Sequence, residues 1–153
     1  MEPLMILVAG PYRSGTGDDP GKLAANVRAM NEVALVLYRA GHLPVTGEAL
    51  ALPLLETAGG AAPGDPLFDE IFHPVAERLL DRCDAVLRVG GPSEGADRMV
   101  ERGRAAGKRI YAGLGEVPGF TAISGLAEVP GAPGPAGVDD APVTAPVTAA
   151  GRR

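Results

Sequence analysis

Val86-Leu87-Arg88-Val89-Gly90-Gly91-Pro92-Ser93-Glu94-Gly95-Ala96-Asp97-Arg98-Met99-Val100 reads as a short apolar strand that breaks into a glycine turn and resumes as a helix. Such a passage points backbone N–H groups and a helix N-terminus at one spot, where an anionic or polyhydroxyl ligand can sit. A second loop of the same kind, Ala9-Gly10-Pro11-Tyr12-Arg13-Ser14-Gly15, follows the apolar run Leu4–Ala9. That run is continuous rather than alternating, which suits a central parallel strand covered on both faces. Two glycine loops at strand ends predict one ligand crevice beyond the carboxyl edge of a parallel sheet.

The rest of the chain fills in the sheet. Asp19-Pro20 opens a helix with an N-cap and a proline at the first helical position. Leu23, Val27, Met30, Ala34, Leu37 and Tyr38 recur at helical spacing, and Gly41 ends the helix. His42–Thr46 is predicted as a second strand, Glu48–Thr57 as a helix, and Gly59–Gly64 as a flexible loop. Asp65-Pro66 opens the next helix, with Phe68, Phe72, Val75, Leu79 and Leu80 on its apolar face. Asp84–Val89 is a third strand. Gly95–Ala106 is a helix that buries Ala96, Met99, Val100 and Gly103, and Lys108–Tyr111 is a fourth strand. Strands alternating with helices predict an α/β fold with a mostly parallel sheet of four or five strands.

Composition narrows the function classes. At 153 residues the chain has room for one domain with a real core. A formal net charge of −5 speaks against nucleic-acid binding, which needs a basic face to neutralise phosphates. No run reaches the roughly 18–20 apolar residues that span a bilayer, and Met1-Glu2-Pro3 lacks the basic start of a signal peptide. A cytoplasmic protein without membrane association is the expectation. The single cysteine, Cys83, leaves no internal disulfide and no multi-cysteine zinc site, and its apolar neighbours predict a buried, inert thiol. Residues 1–117 are read as the domain. Residues 118–153, dominated by Gly, Pro and Ala, are read as a disordered tail that buries too little apolar surface to offset its ordering entropy.

Several side chains are placed to carry chemistry. Arg13 offers a fork suited to phosphate or carboxylate, although a surface arginine in a mobile loop has the same sequence. Ser93 has a hydroxyl to donate, and Gly95 lets a ligand approach the backbone. Asp97 falls in the first helical turn, where the dipole favours a carboxylate by about 0.3–1 kcal/mol. It is either a helix-start residue or a crevice contact. Glu48 stands just after the second strand, at the level of the crevice. His42 follows a helix stop that favours histidine. His73, with Asp69 and Glu77 one turn away on either side, forms a polar helix face rather than a metal set. Neither a Walker A loop nor a GxGxxG fingerprint is present, so no cofactor and no metal are expected.

Ile6-Leu7-Val8-Ala9-Gly10-Pro11-Tyr12-Arg13, Cys83-Asp84-Ala85-Val86-Leu87, Ser93-Glu94-Gly95-Ala96-Asp97 and Gly107-Lys108-Arg109-Ile110-Tyr111 together resemble the nucleoside 2-deoxyribosyltransferase superfamily. The resemblance spans residues 4–111 and is closest to a short bacterial branch related to nucleoside 5′-monophosphate N-glycosidases. It implies a flavodoxin-like, Rossmann-like three-layer sandwich, commonly a homodimer or larger homo-oligomer. The implied activity is hydrolysis or deoxyribosyl transfer at the N-glycosidic bond of a nucleoside or nucleoside 5′-monophosphate. Residue by residue, it implies that Arg13 and Ser93 hold the 5′-phosphate, within a ligand site that includes Gly10, Tyr12, Ser14 and Gly95.

The same resemblance sets a problem. The family's catalytic glutamate, in the helix after the Ser-x-Gly turn, falls on Met99. A second family acid falls on Ala76, with Glu77 adjacent. A carboxylate is needed because the transition state resembles an oxocarbenium ion and a double displacement needs a covalent partner; a thioether supplies neither. Three solutions follow. The register slips by two and Asp97 is the acid, or Glu48, Asp69 or Glu101 has taken the role, or the chain is a nucleotide-binding or sensing module without catalysis. Two residues turn a helical side chain through about 200°, so Asp97 and Met99 cannot face the crevice alike. Asp97 and Glu48 are the candidate acids. The loop Gly90-Gly91-Pro92-Ser93-x-Gly95 is also faintly similar to that of cytokinin-activating phosphoribohydrolases, but lacks their following Thr and paired Glu.

Overall fold

The apolar run after Pro3 forms β1 (Met5–Ala9), whose last four residues are buried. In this computed structural model, which describes residues 1–60 and 65–120, β1 pairs in parallel with β2 (Leu43–Thr46) on one side and β3 (Ala85–Arg88) on the other. β3 then pairs in parallel with β4 (Arg109–Tyr111), giving the order β2-β1-β3-β4. Helix α1 (Pro20–Arg39) joins β1 to β2. α2 (Gly47–Thr57) and α3 (Pro66–Arg82) lead to β3, and α4 (Glu94–Ala105) leads to β4.

Alternation along β1 divides the core into two layers. Ile6 and Val8 pack with Met30, Val33 and Leu37 of α1. Leu7 and Ala9 pack with Ala76 and Leu80 of α3 and with Ala96 and Met99 of α4. With helices on both faces, the result is a Rossmann-like three-layer α/β sandwich, and the strand order is that of flavodoxin-like sheets.

The helix starts obey local chemistry. Asp19 accepts from Lys22 N at 2.9 Å and Asp65 from Leu67 N at 2.9 Å, each ahead of a proline that has no N–H to satisfy. Cys83 is buried, as its neighbours predict, with its thiol pushed up to about 11 by burial above all. Two details depart from the sequence pattern. Tyr38, assigned to the inner face of α1, is 67 % exposed, because Val33 and Val36 complete that face instead. On α3 the fully buried positions are Phe68, Ala76 and Leu80, while Phe72, Val75 and Leu79 are half-buried.

His42 acts as a staple rather than a site residue. Its Nδ1 accepts from Leu4 N at 3.1 Å and its Nε2 meets the Pro118 carbonyl at 2.6 Å, so Nε2 carries the proton. Val117, after the short 3-10 turn Leu114–Glu116, is buried in the α1 layer. Residues 61–64 of the loop and residues 121–153 of the tail lie outside the described residues. Among those described, no helix is long and apolar enough to cross a membrane.

Candidate functional site

The chain leaves β1 toward β2 on one side and leaves β3 toward β4 on the other. In a parallel sheet, the gap between two such departures is where a ligand finds unblocked strand ends. A cavity of about 420 Å3 lies there. The first loop contributes Gly10, Tyr12, Arg13 and Ser14 to its wall, and the second contributes Ser93 and Gly95. The two loops touch behind it. Gly90 has φ 75°, and a Cβ at that position would lie 2.7 Å from Cδ of Pro11, so the contact requires glycine.

Aromatic rings form one side. Tyr12 and Phe72 stack with centroids 5.3 Å apart, and Phe68 and Phe72 stack at 4.6 Å. His73 meets both phenylalanines edge-on. The whole chain has six aromatic residues (three Tyr, three Phe, no Trp), so half of them gather at this cavity. A stacked wall of this kind suits a flat heteroaromatic ring.

Opposing chemistry comes from Glu48. Thr46 caps α2 by accepting from Ala49 N, which sets Glu48 in the first helical turn. Gly47 lets α2 close on α3, since a Cβ there would lie 3.2 Å from Cβ of Ala76. The approach leaves Glu48 only 6 % exposed, the one buried acid among the described residues. Burial pushes its carboxyl up to about 7, with its own backbone N–H pulling the other way. The Tyr12 phenol is also raised, mainly by burial and then by the charge of Glu48.

The second loop ends at Ser93, whose Oγ accepts from Ala96 N at 3.2 Å and so leaves its own proton for a ligand. The phase of α4 then decides between the two candidate positions. Ala96 and Met99 lie on the cavity wall. Asp97 does not; its side chain is 67 % exposed and accepts from Arg88 Nε at 2.9 Å. Arg88 also bonds the carbonyls of Val89 and Gly91, so the pair braces the glycine turn from outside. Helix α3 repeats the pattern. Ala76 is on the wall, whereas Glu77 pairs with Arg102 at 3.4 Å. Asp69 is exposed beside His73, and Glu101 pairs with Arg104. Asp97→Ala is accordingly expected to leave any turnover within about tenfold and to cost at most about 1 kcal/mol of stability, measured by denaturant titration. A loss of turnover beyond that, in a folded variant, would return Asp97 to the site.

Arg13 reaches the cavity already engaged. Its Nε and Nη2 donate to the two oxygens of Asp18 at 3.0 and 3.1 Å, and its guanidinium lies 5.2 Å from the centroid of Phe68. Sequence reasoning passed over Asp18 and Arg98, which both line the cavity. Among the described residues no carboxylate lies within 4.0 Å of Arg98. Arg98 directly precedes Met99 and stands three residues after Gly95, so helical spacing was the available signal. No group of three or more His, Cys, Asp or Glu among the described residues is arranged to hold a metal ion. Neither a protein-family model nor a curated protein matches the chain.

Proposed function

We propose that the cavity takes a nucleoside-type ligand and that the chain hydrolyses its N-glycosidic bond with Glu48 as the acid. The observation that carries this reading is a buried carboxyl, pushed up to about 7, lining the same cavity as three stacked aromatic rings. A base stacked on the rings leaves as an anion unless it is protonated. A carboxyl that holds its proton near neutral pH can deliver it. In this step the proton of Glu48 passes to the leaving nitrogen as the C1′–N bond breaks. Water adds to C1′ and gives its proton to the carboxylate, which restores the acid. The products are free base and free sugar.

Hydrolysis is favoured over transfer because Met99 stands on the wall where the resemblance calls for a covalent carboxylate. The same observation supports a second reading, a nucleoside-binding or sensing module without turnover, since Ala76 and Met99 leave both family acid positions apolar. A homodimer or larger assembly in the cytoplasm belongs to the first reading. Exposed Tyr38, Leu43, Leu50 and Leu54 supply apolar surface for a second copy.

The test is chromatographic detection of free base after incubation with ribo- and deoxyribonucleosides and their 5′-monophosphates. Base release supports the hydrolase. No release, with a melting temperature that rises in the presence of one of these compounds, supports the binding module by mass action. No release and no rise removes both.

A further inference from the structure

The charged groups on the cavity wall do not add up to an anion site. Arg13 and Arg98 stand against Asp18 and Glu94, with Glu48 as the buried acid that holds its proton near neutral pH. Arg13 is already bound in fork geometry by both oxygens of Asp18. The loop is wound to achieve this pairing. Asp18 is the one non-glycine residue with positive φ (60°) among the described residues, between Gly17 at φ 56° and the N-cap Asp19. Thr16, 4 % exposed, fixes the turn by accepting from Asp18 N at 3.2 Å and donating to the Arg13 carbonyl at 2.6 Å. A backbone conformation that L-residues disfavour is held so that this carboxylate meets this guanidinium. The hydrogen bond between them holds the Asp18 carboxyl below its ordinary range, so the pair is intact at neutral pH.

We infer that Asp18 sets the charge preference of the cavity: by filling the Arg13 fork, it favours an uncharged nucleoside over the corresponding 5′-monophosphate. The inference rests on the nucleoside reading above and names the substrate class within it. A phosphate dianion has either to displace Asp18 from the Nε and Nη2 edge of Arg13 or to bind the remaining Nη1 edge beside a carboxylate, in a cavity without excess positive charge, whereas a nucleoside has to do neither.

The experiment is calorimetric titration of the full chain with adenosine, guanosine, cytidine and thymidine, each against its 5′-monophosphate, and with inorganic phosphate. Wild type is compared with Asp18→Asn and with Asp18→Gly, which adopts positive φ without strain and so keeps the loop. The wild type is expected to bind a nucleoside at least as tightly as its monophosphate. Both variants are expected to gain about tenfold or more for monophosphate and inorganic phosphate. Nucleoside affinity is expected to change several-fold less than monophosphate affinity, because a nucleoside brings no anion to the fork. Adding Arg13→Gln should abolish the gain. Unchanged monophosphate affinity in both variants, or equal gains for nucleoside and monophosphate, would overturn the role of Asp18. If no nucleoside or nucleotide binds any variant, the nucleoside reading fails. The preference for a nucleoside falls with it, and inorganic phosphate decides what is left: a gain in the Asp18 variants shows that Asp18 keeps an anion from Arg13, and no gain ends that role as well.

Discussion

Glu48→Gln is expected to lower base release by about 10²–10⁴-fold, the usual weight of a positioned general acid, while making the protein more stable above neutral pH. The two effects have one cause. Burial raises the carboxyl from 4.5 to about 7, so the folded protein holds a proton there that the unfolded chain has already lost. Between those two pH values the unfolded state binds fewer protons, and stability therefore falls as pH rises. The contribution of Glu48 is fully present below pH 4.5 and is lost as pH passes through about 7. At 1.36 kcal/mol per pH unit the whole change amounts to about 3 kcal/mol. Glutamine has no charge to bury, so urea titrations of the variant should lack this slope and exceed wild type at pH 8. Turnover of the wild type should fall with the same midpoint as the acid is lost. Wild-type and variant stabilities that run parallel from pH 4.5 to 8 would show that Glu48 is not buried as a charge.

The parallel strands, the helices between them and the crevice at the strand ends were readable because their signals are local. Asp-Pro pairs start α1 and α3, Gly41 and Gly107 stop α1 and α4, and unbroken apolar runs mark interior strands. The side chains that give the cavity its chemistry depend on contacts that no local pattern records. Phe68 and Phe72 look like core residues because periodicity marks an apolar face without saying whether it meets the sheet or a cavity. The burial of Glu48 depends on Gly47 meeting Ala76 of another helix, and the partner that engages Asp97 outside the cavity, Arg88, lies across a glycine turn. Arg13 and Asp18 are only five residues apart, yet their pairing needs a positive φ at an aspartate, which the sequence does not announce.

Met99→Glu is expected to introduce base exchange, the incorporation of labelled free base into a nucleoside, at least about tenfold above the wild-type level. Met99 is 7 % exposed and lies on the wall with Glu48, so a glutamate there would give the cavity two carboxyls in different surroundings. Such a pair is what a retaining mechanism requires: one group to protonate the leaving base and one to bond to C1′. A sugar held covalently by the enzyme can be returned to a second base, whereas an oxocarbenium ion met by water cannot. The substitution also removes apolar contacts of Met99 with the α3–α4 layer and buries a second ionisable group. It should therefore lower stability by up to several kcal/mol, less where cavity water reaches the new carboxylate. Intact-mass detection of a pentosyl adduct on the variant alone would show that position 99 reaches the anomeric carbon. A folded variant that binds nucleoside but shows neither adduct nor exchange would show that α4 does not present this position to the sugar. The acid chemistry of the cavity would then rest on Glu48 alone.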